Sequence, residues 1–362
     1  MQIGIIGLPN STKTTIFNAL TRSQAQVAAY SSGKAETNTA IVEVPDRRVT
    51  RLSELFQPQK TTYARIQYND IAGLKAGIGQ EGGLSGPLLN AISQNDALLH
   101  VVRAFQDDTI PHPEGSVDPA RDLAALDFEF LFSDLTIVER RMERLAHDLA
   151  KRGGYATRQA DQHEFDLLMR LKENLEQEIP IRDLALTPEE KKQLRGYQPL
   201  TAKPVLVVLN VGDQGSDRPD DYIAYSHRHT DVLCLRGALE MEIAQLAEQE
   251  ADLFLQEYGI QEPGLHRMIR LSYDLLGLHS FFTVGQDEVR AWTIEKGATA
   301  VQAAGTIHSD LARGFIRAEV VSYDALISAG SLAAARKQGQ VRLEGRDYVV
   351  QNGDILTIRF NV

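Results

Sequence analysis

Lys13 and Thr14 follow the run Gly7-Leu8-Pro9-Asn10-Ser11-Thr12, and Thr15 comes next, an order of residue types suited to gripping a polyphosphate. In the pattern G-x-x-x-x-G-K-[ST], backbone N–H groups of a loop point inward at an anion. The following helix adds the positive end of its dipole. Lys13 would bridge the outer phosphates as a point charge. The N–H groups of Asn10, Ser11, Thr12, Lys13, Thr14 and Thr15 would cradle them, and the Thr14 hydroxyl would ligate Mg²⁺. One fixed position departs: Thr12 stands where the pattern has its second glycine. A β-branched residue tolerates positive φ or close phosphate approach poorly. The plainer alternative is an ordinary strand-to-helix turn with an exposed lysine.

Two further segments offer matching chemistry. Asp70-Ile71-Ala72-Gly73 follows a predicted strand, where Asp70 can reach Mg²⁺ through water and the Gly73 N–H can sense a γ-phosphate. Its alternative is a flexible, glycine-rich surface loop. Leu74 stands where many GTPases carry a water-orienting glutamine, so another group must do that work. His112, on a proline-bounded loop, is the candidate, since a neutral imidazole can orient water. Asn210-Val211-Gly212-Asp213 ends a later strand where N-K-x-D reads the base, with Val211 in place of the lysine. An inward Asp213 carboxylate would accept from guanine N1 and N2; the alternative is a turn closed by Asn and Asp.

These residues need a sheet to hold them. Residues 2–6, 40–44, 64–68, 97–102, 205–210 and 232–235 read as strands, with a helix start at Ile16. Between the fourth and fifth of these strands, apolar residues recur at helical spacing from Leu123 to Leu149 and again from Phe165 to Leu175. Gly153-Gly154 breaks the run, giving a helical hairpin inserted into an α/β, doubly wound domain. From Phe281 onward, short strands and helices make a small α+β module. The expected division is 1–118 with 201–277, then 119–200, then 278–362.

Composition bounds the rest. The chain has 362 residues, 43% hydrophobic and 24% charged, which describes a folded protein of two or three domains. No apolar run is long enough for a bilayer, and no signal segment precedes the first strand, so no membrane role is expected. A single cysteine, Cys234, excludes an internal disulfide and favours the cytoplasm. The net charge of −11 argues against a wholly nucleic-acid-binding surface. No G-x-G-x-x-G follows the first strand, which leaves a nicotinamide enzyme poorly supported.

The combined motifs resemble the Obg-related P-loop ATPases of the YchF subfamily over nearly the whole chain. The family's GLPNVGKSTLFNAL reads GLPNSTKTTIFNAL here, and VDIAGL reads NDIAGL. HVVR is intact at residues 100–103, and EGSVDPARDL follows at 114–123. The last third, including LEGRDYVVQNGDILTIRFNV, resembles the family's TGS domain, a ubiquitin-like β-grasp. The resemblance implies a P-loop NTPase with an inserted helical arm, ATP or GTP with Mg²⁺ as cofactors, and a catalytic histidine at His112 beside Lys13. It also implies a ribosome partner, the large subunit or whole particle, with RNA contact, and a monomer. Three departures stand out: Thr12; Lys34 at the switch I threonine, with Thr37 or Thr39 as replacements; and Asp213 in place of the family's glutamate, which blurs ATP preference. Two readings follow: a slow nucleotide-controlled switch on the ribosome, or a degenerate adapter working through its arm and terminal domain.

Overall fold

The computed structural model describes residues 1–24, 26–31, 36–71, 84–150, 155–258 and 260–361. Strand β1 (Gln2–Ile6) is buried from Ile3 onward, as its apolar run requires, and lies at the centre of a seven-stranded sheet. After it come α1 (Lys13–Gln24), β2 (Gln26–Ser31), β3 (Glu36–Glu43), α2 (Arg47–Phe56), β4 (Lys60–Thr62) and β5 (Arg65–Ile71). Next are α3 (Gly86–Ser93), β6 (Ala97–Ala104), α4 (Pro119–Ala150), α5 (Tyr155–Leu175), α6 (Pro188–Leu194) and β7 (Val205–Val211). The series continues with β8 (Thr230–Leu235), α7 (Gly237–Ile243), α8 (Glu248–Glu257) and α9 (Gly264–Leu275).

The sheet order is β2-β3-β5-β1-β6-β7-β8, and β5, β1, β6, β7 and β8 pair in parallel. Connections leave β1 toward β3 and β5 on one side and toward β6 to β8 on the other. The carboxyl end of β1 is therefore a topological switch point, where open α/β sheets bind ligands. Register sets Ile5 beside Asp70, Ile6 beside His100, and Arg103 beside Asn210, so one sheet edge collects them all.

Residue contacts divide the chain into Met1–Ala40 with Gln67–Leu265, and Ile41–Ile66 with His266–Val362. In the first unit, α4 starts on the sheet: Leu123, Leu126 and Phe130 join Val102, Val207 and Leu209 in one core. Farther along, Val138 and Leu145 pack with Leu167, Leu168, Leu171 and Leu175 of α5, which builds the expected hairpin. Asp134 pins α4 to the returning chain. It accepts from Leu200 N–H at 2.9 Å, Thr201 N–H at 2.8 Å and Thr201 Oγ1 at 2.6 Å. Gly153 and Gly154 lie outside the described residues.

The second unit adds β9 (Leu278–Val284), β10 (Glu288–Glu295), α10 (Ala300–Ile307), α11 (Ser309–Arg313), β11 (Phe315–Ser322), α12 (Tyr323–Ala329), α13 (Leu332–Lys337), β12 (Arg342–Glu344) and β13 (Asp354–Phe360). They form a mixed sheet of order β12-β11-β13-β9-β10-β4, a β-grasp around α10. Ala300, Ala303 and Ala304 are fully buried against Phe281, Phe315 and Leu356, so small side chains bring that helix close to the sheet. Strands β2, β4 and β12 were not expected. β4 and β12 have three residues each, too few for any periodicity to show, and β4 exists through pairing with β10.

Candidate functional site

Gly7 leaves β1 with φ 151°, and a Cβ there would sit 2.3 Å from the Val101 carbonyl oxygen. Only glycine fits this crossing of loop over strand. Asn10 and Thr12 both hold left-handed φ, 61° and 68°. Thr12 therefore sits in the left-handed region that favours glycine, at a cost of about 1–2 kcal/mol for a β-branched residue. Its hydroxyl is tied down: it donates to Ser11 C=O at 2.5 Å and accepts from the Asn210 side-chain amide. Helix α1 is closed beneath it by Thr15 N–H and Ile16 N–H donating to the Thr12 carbonyl at 3.0 and 3.3 Å. Ser11 is 3% exposed, and its Oγ finds no hydrogen-bond partner among the described residues.

Lys13 opens α1 and curls back over the loop. Its ammonium donates to Gly7 C=O at 2.6 Å and to Leu8 C=O at 3.3 Å. Burial holds its pKa below the usual lysine range, with nearby Asp70 opposing the shift. Asp70, 6% exposed at the end of β5, has its carboxyl pushed up by burial and pulled back by Lys13. Thr14 is exposed on the first turn of α1. A hydroxyl and a carboxylate at one sheet edge are hard oxygen donors, which suits Mg²⁺, an ion that takes few protein ligands when phosphates supply the rest. Gly73 and Lys34 lie outside the described residues. Thr39 sits within β3 and donates to Asn69 Oδ1 at 3.0 Å, so its hydroxyl is already committed to the sheet. Thr37 is a half-buried residue of the same strand.

His112 reaches the phosphate loop through its neighbour: Asn10 Nδ2 donates to the Pro111 carbonyl at 3.0 Å. Arg103 shapes the loop from beneath, donating to Phe105, Ile110 and Asp107 carbonyls at 3.1, 2.9 and 3.2 Å. The imidazole itself is turned inward. Glu114 N–H donates to Nδ1 at 3.2 Å, which assigns the proton to Nε2, and Nε2 donates to Asp122 at 2.8 Å. Arg121 grips the same carboxylate at 2.8 Å. Both ring nitrogens are thus occupied, and His112 reaches water only after leaving Asp122. A crevice beside them is lined by Leu8, Pro9, Ser11, His100, His112 and Asp122. Burial, aided by Lys13, drops the His100 pKa to about 3, so that ring is neutral.

The segment expected to face the base lies at the tip of β7. Asn210, 4% exposed, uses both ends of its amide: Gly237 N–H donates to Oδ1 at 2.9 Å, and Nδ2 donates to Thr12. A Cβ on Gly237 would come within 2.9 Å of Asn210 Oδ1, so glycine makes the room. Val211 points the other way, into the core with Leu209 and Ile223, because side chains alternate along a strand. Its expected base contact is corrected accordingly: its side chain serves packing. Asp213 is exposed beyond the strand end.

The fold thus gathers Asn10, Ser11, Thr12, Lys13, Thr14, Thr15, Asp70, His112, Asn210 and Asp213 at one sheet edge. Gly237 escaped the sequence reading, because it acts through Asn210, 27 positions away, and no local pattern signals that pairing. Arg103 and Asp122 lay inside the quoted HVVR and EGSVDPARDL runs, though without an assigned role.

A family model named for the C-terminal domain of YchF GTPases, described as a protein of unknown function, matches residues 278–361. A "50S ribosome-binding GTPase" model matches residues 2–129. The chain is 44% identical to the ribosome-binding ATPase YchF of Bacillus subtilis, covering 100% of both. It is 34% identical to Obg-like ATPase 1 of Caenorhabditis elegans, covering 100% of this chain and 92% of the relative. The solved Schizosaccharomyces pombe YchF GTPase superposes with TM-score 0.88 at 32% identity, covering 99% of this chain and 97% of that one.

Proposed function

The chain belongs to the YchF family of Obg-related P-loop ATPases, and from that premise we propose a slow, nucleotide-controlled switch that works on the ribosome in the cytoplasm as a monomer. ATP or GTP would be its nucleotide, with Mg²⁺ bound between the phosphates, Thr14 and Asp70. The ion would neutralise charge on the phosphates. Lys13 carries the reading: an enclosed ammonium with depressed basicity, held on loop carbonyls, is stabilised when phosphate oxygens replace them. Gly73 would report the γ-phosphate, and Asn210 with Asp213 would face the base. His112 would orient water once released from Asp122. We assign the nucleotide chemistry to 1–118 with 201–277, and partner contact, RNA included, to the arm at 119–200 and the terminal domain at 278–362.

Titration calorimetry with MgATP and MgGTP tests this reading. Micromolar binding that disappears in Lys13→Ala supports it, and no binding at millimolar nucleotide overturns it. Cosedimentation with ribosomes, with and without nucleotide, tests the partner. One observation favours a degenerate adapter instead: Thr12 in the glycine position with its side chain locked to Asn210. An adapter would sediment with ribosomes regardless of nucleotide.

A further inference from the structure

Consecutive residues 236 and 237 hold the two ends of the segment that faces the base. Gly237 N–H fixes the Asn210 side chain, as described. The Arg236 guanidinium takes the other end. Nε donates to the Asp213 carbonyl at 3.1 Å, Nη2 donates to the Gly215 carbonyl at 3.0 Å, and Nη1 pairs with Asp217 at 2.7 Å. The intervening turn closes on itself, Gly215 N–H donating to the Gly212 carbonyl at 2.8 Å. One planar cation therefore ties together the backbone on either side of Gln214 and leaves Asp213 exposed.

We infer that Arg236 is the positioning residue for base selection: by clamping the Asp213 and Gly215 carbonyls it fixes where the Asp213 carboxylate can accept hydrogen bonds from a purine. The inference rests on the reading that this end of the sheet takes the base. Three features make the clamp specific to arginine. Its fork meets two carbonyls and a carboxylate at once, a geometry that a lysine point charge cannot reproduce. Its own side chain is 27% exposed, so it is held rather than waving in solvent. It immediately precedes the residue that grips Asn210, so both halves of the base segment share one anchor on the strand β8 to helix α7 junction. Among the described residues the hydrogen-bond and ion-pair partners of the Arg236 guanidinium lie in the 213–217 loop, with the Glu240 charge nearby, so its loss should spare the triphosphate grip.

The test is calorimetric binding of MgATP, MgGTP and inorganic tripolyphosphate to the natural chain, Arg236→Ala and Arg236→Lys. The tripolyphosphate reports the phosphate loop alone. Both variants should bind tripolyphosphate within about twofold of the natural chain while the preferred nucleotide weakens about tenfold, the loss of a charge-assisted contact. The ratio of nucleotide to tripolyphosphate affinity should fall accordingly, and ATP and GTP should converge. A ratio that survives in Arg236→Ala overturns the inference, as does an equal loss of tripolyphosphate binding, which would make Arg236 a support of the fold. If the natural chain binds nucleotide no more tightly than tripolyphosphate, the base reading itself fails and the inference with it.

Discussion

Asp70 and Asp134 are both buried carboxylates, one near Lys13 at the end of β5 and one at the root of the helical arm. Burial raises both, Asp134 to about 6. Their surroundings differ. Asp134 accepts three hydrogen bonds from Leu200 and Thr201, while Asp70 is balanced chiefly by the Lys13 charge. The same contrast extends to their neighbours. Around the phosphate loop, Asn10 and Thr12 hold left-handed φ, Ser11 Oγ lacks a partner among the described residues, and Lys13 is bound to its own loop. Around the arm root pairing is fuller, as with Arg141 and Glu164 at 2.7 Å, although Arg182 Nε is buried without a partner among the described residues. On the loop from Asn10 to Lys13 left-handed backbone and an unpartnered hydroxyl fall within four residues, where a ligand can complete them, whereas Asp134 is fully paired.

Substitutions can break this contrast in order of size. Lys13→Ala should lower nucleotide turnover about a hundredfold to a thousandfold, measured by phosphate release, with thermal stability unchanged or improved. Asp134→Ala should do the reverse. Orphaning the Leu200 and Thr201 donors should cost about 3 kcal/mol in urea unfolding, with nucleotide affinity kept at permissive temperature. A large loss of affinity there would show that the arm root belongs to the site.

Smaller effects sharpen the comparison. Thr12→Gly relieves about 1–2 kcal/mol of backbone strain and frees Asn210, and turnover should rise several-fold in steady-state assays. Unchanged turnover would show the threonine to be harmless. Ser11→Ala removes a buried, unpaired hydroxyl and should stabilise the chain by about 1 kcal/mol, read as a melting rise of roughly 2–4 °C. Acidity offers one more probe. In the proposed Mg²⁺ site Asp70 would act ionised, and its carboxyl is raised by burial, so Mg²⁺-dependent turnover should begin to fall at a higher pH than an ordinary carboxylate dictates. Asp70→Asn should be slow throughout with that limb absent.

Much of this was legible beforehand. Parallel central strands buried on both faces show as unbroken runs such as Val205–Val211, and the helical arm shows as a long 3.6-residue period. Lys13, Thr14 and Asp70 stand out as candidates through spacing alone. Thr12 was legible as a departure but not in its consequence, since nothing local says that its hydroxyl would meet Asn210, 198 positions along the chain. Val211 was misjudged because strand alternation turns its side chain to the core. Strand β4 was invisible, as its three residues owe their conformation to β10.

By itself the sequence determined the order of the longer strands and helices and marked a candidate phosphate loop with a lysine at its end, because periodicity and short motifs act over a few residues. Only the tertiary structure decided which way His112 faces, what Asn210 bonds to and which arginine holds the 213–217 loop. Those outcomes depend on groups that meet across the sheet edge, and chain order carries no record of such meetings.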